Sequence, residues 1–173
     1  MGAPLRRRFR RPPRTRPRCA VLHELAGDGP ALELGIGSGR IALPLAEHGI
    51  PVSGIDASTD MIAILQQQRG ALPVDARIAD MAGFRPPAPF PFPFPFPFPF
   101  PFPLVYVAAS TFSLLGSAER QLTCLKAVAG TLSGGGLFVI EAALPHTVTG
   151  NGQQVIVRHV ADGVGHAHGL RGL

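Results

Sequence analysis

The chain is poor in several things at once. Of its 173 residues only one is lysine, Lys126, and only two are cysteine, Cys19 and Cys124. The two cysteines lie far apart and match no metal-ligand spacing, so they read as ordinary reduced thiols of an intracellular protein. No apolar run is long enough to cross a bilayer, and the arginine-rich start lacks the apolar stretch of a secretory signal. These absences argue against a disulfide scaffold, a cysteine-based metal site and a membrane anchor, and they predict a cytoplasmic protein.

Acidic residues are missing from the first 18 positions, which hold eight arginines. Without those eight, the net charge of +5 becomes −3 for the remainder. The basicity therefore belongs to a tail and not to a folded basic face. Such a tail could touch nucleic acid or anionic lipid, or act as a transit peptide. Its prolines and lack of periodicity favour a disordered leader over residues 1–18, with no specific nucleic-acid or membrane partner.

What the chain does have is a hydrophobic content of 46% and a length that suits one domain. A short apolar helix is expected over Cys19–Ala26. Strand and helix signals then alternate: strand Ala31–Leu34, helix Arg40–His48, strand Pro51–Ile55, helix Thr59–Arg69 and strand Val74–Ala79. Strand Leu104–Ala108, helix Ala118–Thr131 with Ser117 as its cap, a Gly134-Gly135-Gly136 turn and strand Leu137–Ala142 follow. That alternation predicts an α/β fold, a doubly wound and mostly parallel sheet with helices on both faces.

One stretch breaks the pattern. Phe90 to Pro103 is seven Phe-Pro dipeptides, a low-complexity repeat. Proline at every second position removes backbone donors, so neither helix nor inner strand is expected there. We read residues 84–103 as a repeat inserted in a surface connection, the other possibility being a proline-rich ligand for an aromatic groove. Residues 19–160 would then be the domain and residues 161–173 an irregular tail, leaving the fold incomplete at its C-terminus. Only Gln153–Val160 offers a further strand.

The chemistry concentrates at strand ends. Glu33-Leu-Gly35-Ile-Gly37-Ser-Gly39-Arg40 closes the first strand with glycines at alternate positions and opens a helix. Glycines there let the chain turn tightly and let a ligand lie against it, and the helix start offers N–H groups to an anion. Asp56 follows 21 positions after Gly35, at the next strand end, where a carboxylate can accept both hydroxyls of a ribose. Asp80 ends the third strand beside Met81.

This ordered set resembles the class I S-adenosylmethionine-dependent methyltransferases, which have a Rossmann-like fold, over about 120 residues. Glu33, Gly35, Gly37 and Gly39 match the family's first motif, which packs against the methionine part of S-adenosylmethionine. Asp56, with Ala57 beside it in Gly54-Ile-Asp-Ala-Ser58, matches the ribose-binding acid. Asp80 matches the acid near the adenine amino group, with Met81 as an adenine contact. Leu104–Thr111, with Ala109 at its end, resembles the fourth-strand motif that faces the methyl group and acceptor. Leu132–Ile140 resembles the turn and fifth strand, with Ser133 and Gly134 in place of the usual proline pattern.

The resemblance implies methyl transfer from S-adenosylmethionine to a small-molecule acceptor. The alternatives are an NAD(P)-dependent oxidoreductase of Rossmann type, disfavoured by Arg40 where a third glycine or alanine is wanted, and a catalytically defective methyltransferase fragment. No catalytic residue stands out. Ser110 and Thr111 could position an acceptor or simply cap a strand. Glu141 could be a general base but reads more readily as a polar group at the sheet edge. Arg40 is expected to pair with a surface acid. His159, His166 and His168, with only Asp162 nearby, do not make a metal site.

Overall fold

The computed structural model describes residues 15–84, 101–142, 154–161 and 164–171. The leader through residue 14 and most of the Phe-Pro run lie outside the described residues.

The described chain runs α1 (Thr15–Ala26), β1 (Ala31–Leu34), α2 (Ala42–Glu47), β2 (Val52–Asp56), α3 (Thr59–Gln68) and β3 (Val74–Ile78). It continues with β4 (Phe102–Val107), a 3-10 turn (Thr111–Leu115), α4 (Ala118–Ala129), β5 (Leu132–Ile140), β6 (Gln154–Ala161) and β7 (Val164–Arg171). The strands form one sheet in the order β3-β2-β1-β4-β5-β6-β7. The first five are parallel, and β6 and β7 are antiparallel additions at one edge. This is the doubly wound α/β fold expected from the alternation of elements.

Each central strand is buried on both faces, as parallel strands between helix layers must be. Along β1, Ala31 packs into one core cluster and Leu32 and Leu34 into the other. Leu104 and Tyr106 alternate with Val105 and Val107 in β4 in the same way. Buried residues of α1, α2 and α3 (Leu22, Leu45 and Leu65 among them) form the first cluster, and Cys124 and Val128 of α4 join the second. Ser58 and Ser117 cap α3 and α4, their hydroxyls accepting the backbone N–H of Met61 and Arg120 at 3.3 Å.

Four boundaries differ from the sequence reading. Helix α1 begins at Thr15, so Thr15–Arg18 belong to a helix and not to the leader. Pro17 is tolerated because it sits in the first turn, where its missing N–H has no helical partner to lose. Phe102 and Pro103, expected to continue the rod, start the inner strand β4. The register against β5 shifts between Phe102 and Leu104, and the ladder with β1 begins only at Leu104. Pro103 therefore falls at an irregularity where its missing donor does least harm. The same shift absorbs the glycine triplet, which lies inside β5 instead of before it. Lastly, Val164–Arg171, read as irregular, form β7, paired with β6.

Phe84 precedes the Phe-Pro run and Phe102 belongs to its last dipeptide, and both are buried in the second core cluster. The two ends of the segment 84–103 are thus anchored in the core by Phe84 and Phe102.

Candidate functional site

A cavity of about 560 Å³ opens at the C-terminal ends of β1, β2, β3 and β4. The strand order reverses between β1 and β4, which is where ligands bind in open α/β sheets. Of the nine residues singled out from the sequence, Glu33, Gly35, Gly37, Asp56, Ala57, Asp80, Met81 and Ala109 line it.

Gly39 does not line it, and its role is different. It has a φ of +82°, and a Cβ there would lie 2.4 Å from Leu65 Cδ1 and 2.9 Å from Leu43 Cγ. Glycine at this position lets α2 and α3 pack closely beneath the loop. Gly35 has a φ of +70°, and a Cβ on it would meet Thr111 Cγ2 at 2.5 Å. The first glycine thus makes room for the segment that follows β4.

Asp56 is held by backbone donors. Its Oδ2 accepts the Gly37 N–H at 2.8 Å and its Oδ1 accepts the Ser58 N–H at 2.8 Å. An ionised carboxylate offers about four lone-pair sites, so capacity for a vicinal diol remains after both bonds. The bond from Gly37 also explains the 19-residue spacing in physical terms: Asp56 and the glycine loop brace each other.

Glu33 is a buried acid on an inner strand, 3% exposed. The register places it directly beside Tyr106, whose hydroxyl donates to its Oε2 at 2.9 Å. Burial pushes the Glu33 carboxyl up to about 8, partly opposed by the Tyr106 hydrogen bond, the Arg40 charge and the Ala42 N–H. Burial likewise raises the Tyr106 hydroxyl well above its usual range, with the neighbouring Glu33 adding to it. Since α2 has only six residues, its start offers less to an anion than the sequence suggested.

At the other rim, Asp80 Oδ1 accepts the Ala82 N–H at 2.8 Å, and Oδ2 pairs with Arg120 at 2.8 Å. These bonds, the backbone one foremost, hold its carboxyl below the usual range. Arg120 and the 79%-exposed Leu114 line the cavity, and no signal in the sequence marks either. They come from the first turn of α4 and the 3-10 turn, brought over the site only by the crossover after β4. Ile36 and Ser38 also line it, and they were visible as the residues between the glycines. Arg40 corrects the expectation of a surface pair: it makes no ion pair among the described residues and lines the cavity.

The segment after β4 is unusual. Ala109 has a φ of 55° and Ser110 a φ of 61°, both in the left-handed region without being glycine. Each such residue costs about 1–2 kcal/mol, so surrounding bonds must hold it. Glu141 supplies them: its Oε2 accepts the Ala109 N–H at 3.1 Å and its backbone oxygen accepts the Ser110 N–H at 3.0 Å. Glu141 Oε1 is paired with Arg18 of α1. With one oxygen on Ala109, the other on Arg18 and no place in the cavity wall, Glu141 is a structural clamp on this turn.

Comparison with known families shows which family the chain belongs to. A profile described as "Methyltransferase domain" matches residues 31–136, more than half of the chain. The chain belongs to this methyltransferase-domain family. Among solved structures, the CcbJ methyltransferase from Streptomyces caelestis aligns with a TM-score of 0.68 and 26% identity, covering 86% of this chain and 61% of that one. The glycopeptide N-methyltransferase MtfA complexed with S-adenosyl-L-methionine gives 0.64 at 18% identity, covering 88% and 57%. CalS10, an amino pentose methyltransferase from Micromonospora echinaspora, gives 0.61 at 15% identity, covering 92% and 74%. The last two likenesses, at such low identity, speak to the fold. This methyltransferase-domain chain thus spans 61% of the length of CcbJ and 57% of MtfA. No curated protein sequence matches it significantly.

Among the described residues no cluster of three metal-ligating side chains occurs, and no helix is long and apolar enough to cross a membrane.

Proposed function

We propose that the chain binds S-adenosylmethionine in the cavity at the strand ends and transfers its methyl group to a small-molecule acceptor. The observation that carries this is Asp56: an acid at the end of β2, braced by the glycine loop, with spare acceptor capacity facing a cavity of nucleoside size. The family membership supports the same reading.

In that reading Asp56 receives the ribose hydroxyls and Met81 borders the adenine. Asp80 already gives one oxygen to Ala82 and one to Arg120, so it meets the adenine edge as part of that pair. Glu33, Gly35 and Gly37 border the methionine part, and Ala109 stands where the methyl group faces the acceptor. The cofactor supplies a methyl group already activated by a sulfonium. The protein's own task is to exclude water and align donor with acceptor, which alone can supply a large part of the rate. A general base is needed only for a nucleophile that must lose a proton, and no side chain lining the cavity is assigned that role.

A cytoplasmic location belongs to the same reading, in keeping with Cys19 and Cys124 as buried cysteines that form no disulfide. So does the division of the chain into leader, cofactor-binding domain and Phe-Pro insert.

Calorimetry on the full chain tests the proposal. Heat is expected with S-adenosylhomocysteine and none with NAD. Heat with NAD alone would move the chain to the oxidoreductase reading. Heat with neither would leave the defective-fragment reading.

A further inference from the structure

We infer that Glu141 is a positioning residue that sets the wall of the cofactor cavity by holding the left-handed turn Ala109–Ser110. The inference rests on the cofactor reading above and adds a residue to it from outside the cavity.

Three observations converge. The turn has two successive non-glycine residues with positive φ, at the end of the central strand β4. Glu141 bonds both of their amides, one through its carboxylate and one through its backbone oxygen, while its own N–H donates to Val107 O at 2.8 Å. The turn in turn seats Thr111 against Gly35, so close that a Cβ on that glycine would lie 2.5 Å from the Thr111 methyl. Ala109, Thr111 and Gly35 all line the cavity, whereas Glu141 does not. Its influence on a ligand must therefore pass through the turn.

Arg18 completes the arrangement. Its guanidinium pairs with the Glu141 oxygen not used by Ala109, and both side chains are about one-fifth exposed. The first helix thus fixes the carboxylate that fixes the turn. Released from Glu141, Ala109 and Ser110 would relax toward negative φ, because alanine and serine have no preference for the left-handed region. Thr111 would then leave its seat, and the floor formed by Gly35 would lose its opposing wall.

The test is calorimetric titration of the full chain and its variants with S-adenosylhomocysteine, with denaturant unfolding measured in parallel. Glu141→Gln keeps the reach and one acceptor oxygen, and is expected to bind within about threefold of wild type. Glu141→Asp keeps the charge but is one methylene too short for Ala109, and is expected to weaken binding about tenfold or more. Ala109→Gly, placed in the Glu141→Asp background, makes positive φ accessible without the clamp and is expected to restore most of the lost affinity.

A role in stability alone would lower the unfolding midpoint while leaving the affinity of the folded protein unchanged, and that result would overturn the inference. So would wild-type affinity in Glu141→Asp, a loss in Glu141→Gln as large as in Glu141→Asp, or no recovery on adding the glycine. Wild-type protein that releases no heat at all would instead remove the cofactor reading on which the inference stands, before any variant is compared.

Discussion

Two sides of one cavity solve the same backbone problem differently. On the β1 side the chain turns through three positive φ values, and every one falls on a glycine: Gly35, Gly37 and Gly39. On the β4 side it turns through two, and both fall on residues with a Cβ, Ala109 and Ser110. The first side is relaxed by composition. The second is held by Glu141 and Arg18, 32 and 91 positions away from Ala109 in sequence. A turn made of glycine needs no distant partner, while a turn made against preference does.

The comparison breaks most visibly at Gly39. Gly39→Ala adds a methyl where Leu65 and Leu43 already stand and forces a left-handed alanine, so a loss of about 3 kcal/mol is expected in denaturant unfolding. The mirror experiment on the other side, Ala109→Gly in otherwise wild-type protein, is expected to change stability by less than about 1 kcal/mol, since relief of strain offsets added chain entropy. A large loss there would show that Ala109 is not strained.

Between these lies Asp56. Asp56→Ala strips the acceptor from Gly37 and Ser58, and is expected to weaken S-adenosylhomocysteine by about 30-fold or more, read by calorimetry.

Glu33 adds a pH signature to the β1 side. Its carboxyl rises from 4.5 to about 8 on folding, so the folded chain holds a proton that the unfolded chain releases. The stability this provides is present in full below pH 4.5 and lost as pH rises through about 8. Glu33→Gln is expected to flatten that slope, which can reach about 1.4 kcal/mol per pH unit, in unfolding curves taken between pH 5 and about 8. An unchanged slope would mean that Glu33 is ionised in the folded protein.

The smallest effect is expected in β2, where the buried Ser53 hydroxyl has no hydrogen-bond partner among the described residues. Ser53→Ala is expected to be neutral or to stabilise by about 0.5–1 kcal/mol in the same unfolding assay.

This contrast also explains what the sequence disclosed. The glycines, Asp56 and Asp80 were legible because each strand end carries its polar element close to an apolar run, and the alternation of runs revealed the parallel sheet. Gly39 was recognised as part of the motif, but its packing against Leu65 depends on a helix that comes later in the chain. Arg120 and Leu114 were invisible, since nothing near them in sequence marks a site. Glu141 was legible as a polar group at the sheet edge, but the turn it grips was not, because Ala109 lies 32 positions away. The boundaries that moved did so for long-range reasons too, as with Pro103, which is admitted to β4 only because the register against β5 shifts beside it.

The central claim is that the strand-end cavity binds the methyl donor. Amide hydrogen exchange of the full chain, with and without saturating S-adenosylhomocysteine, addresses it most directly. Slowed exchange is expected at Gly35–Arg40, Gly54–Ser58, Ala79–Ala82 and Ala108–Thr111, four segments distant in sequence and adjacent in space. Protection confined to other segments, or none at these four, would contradict the account.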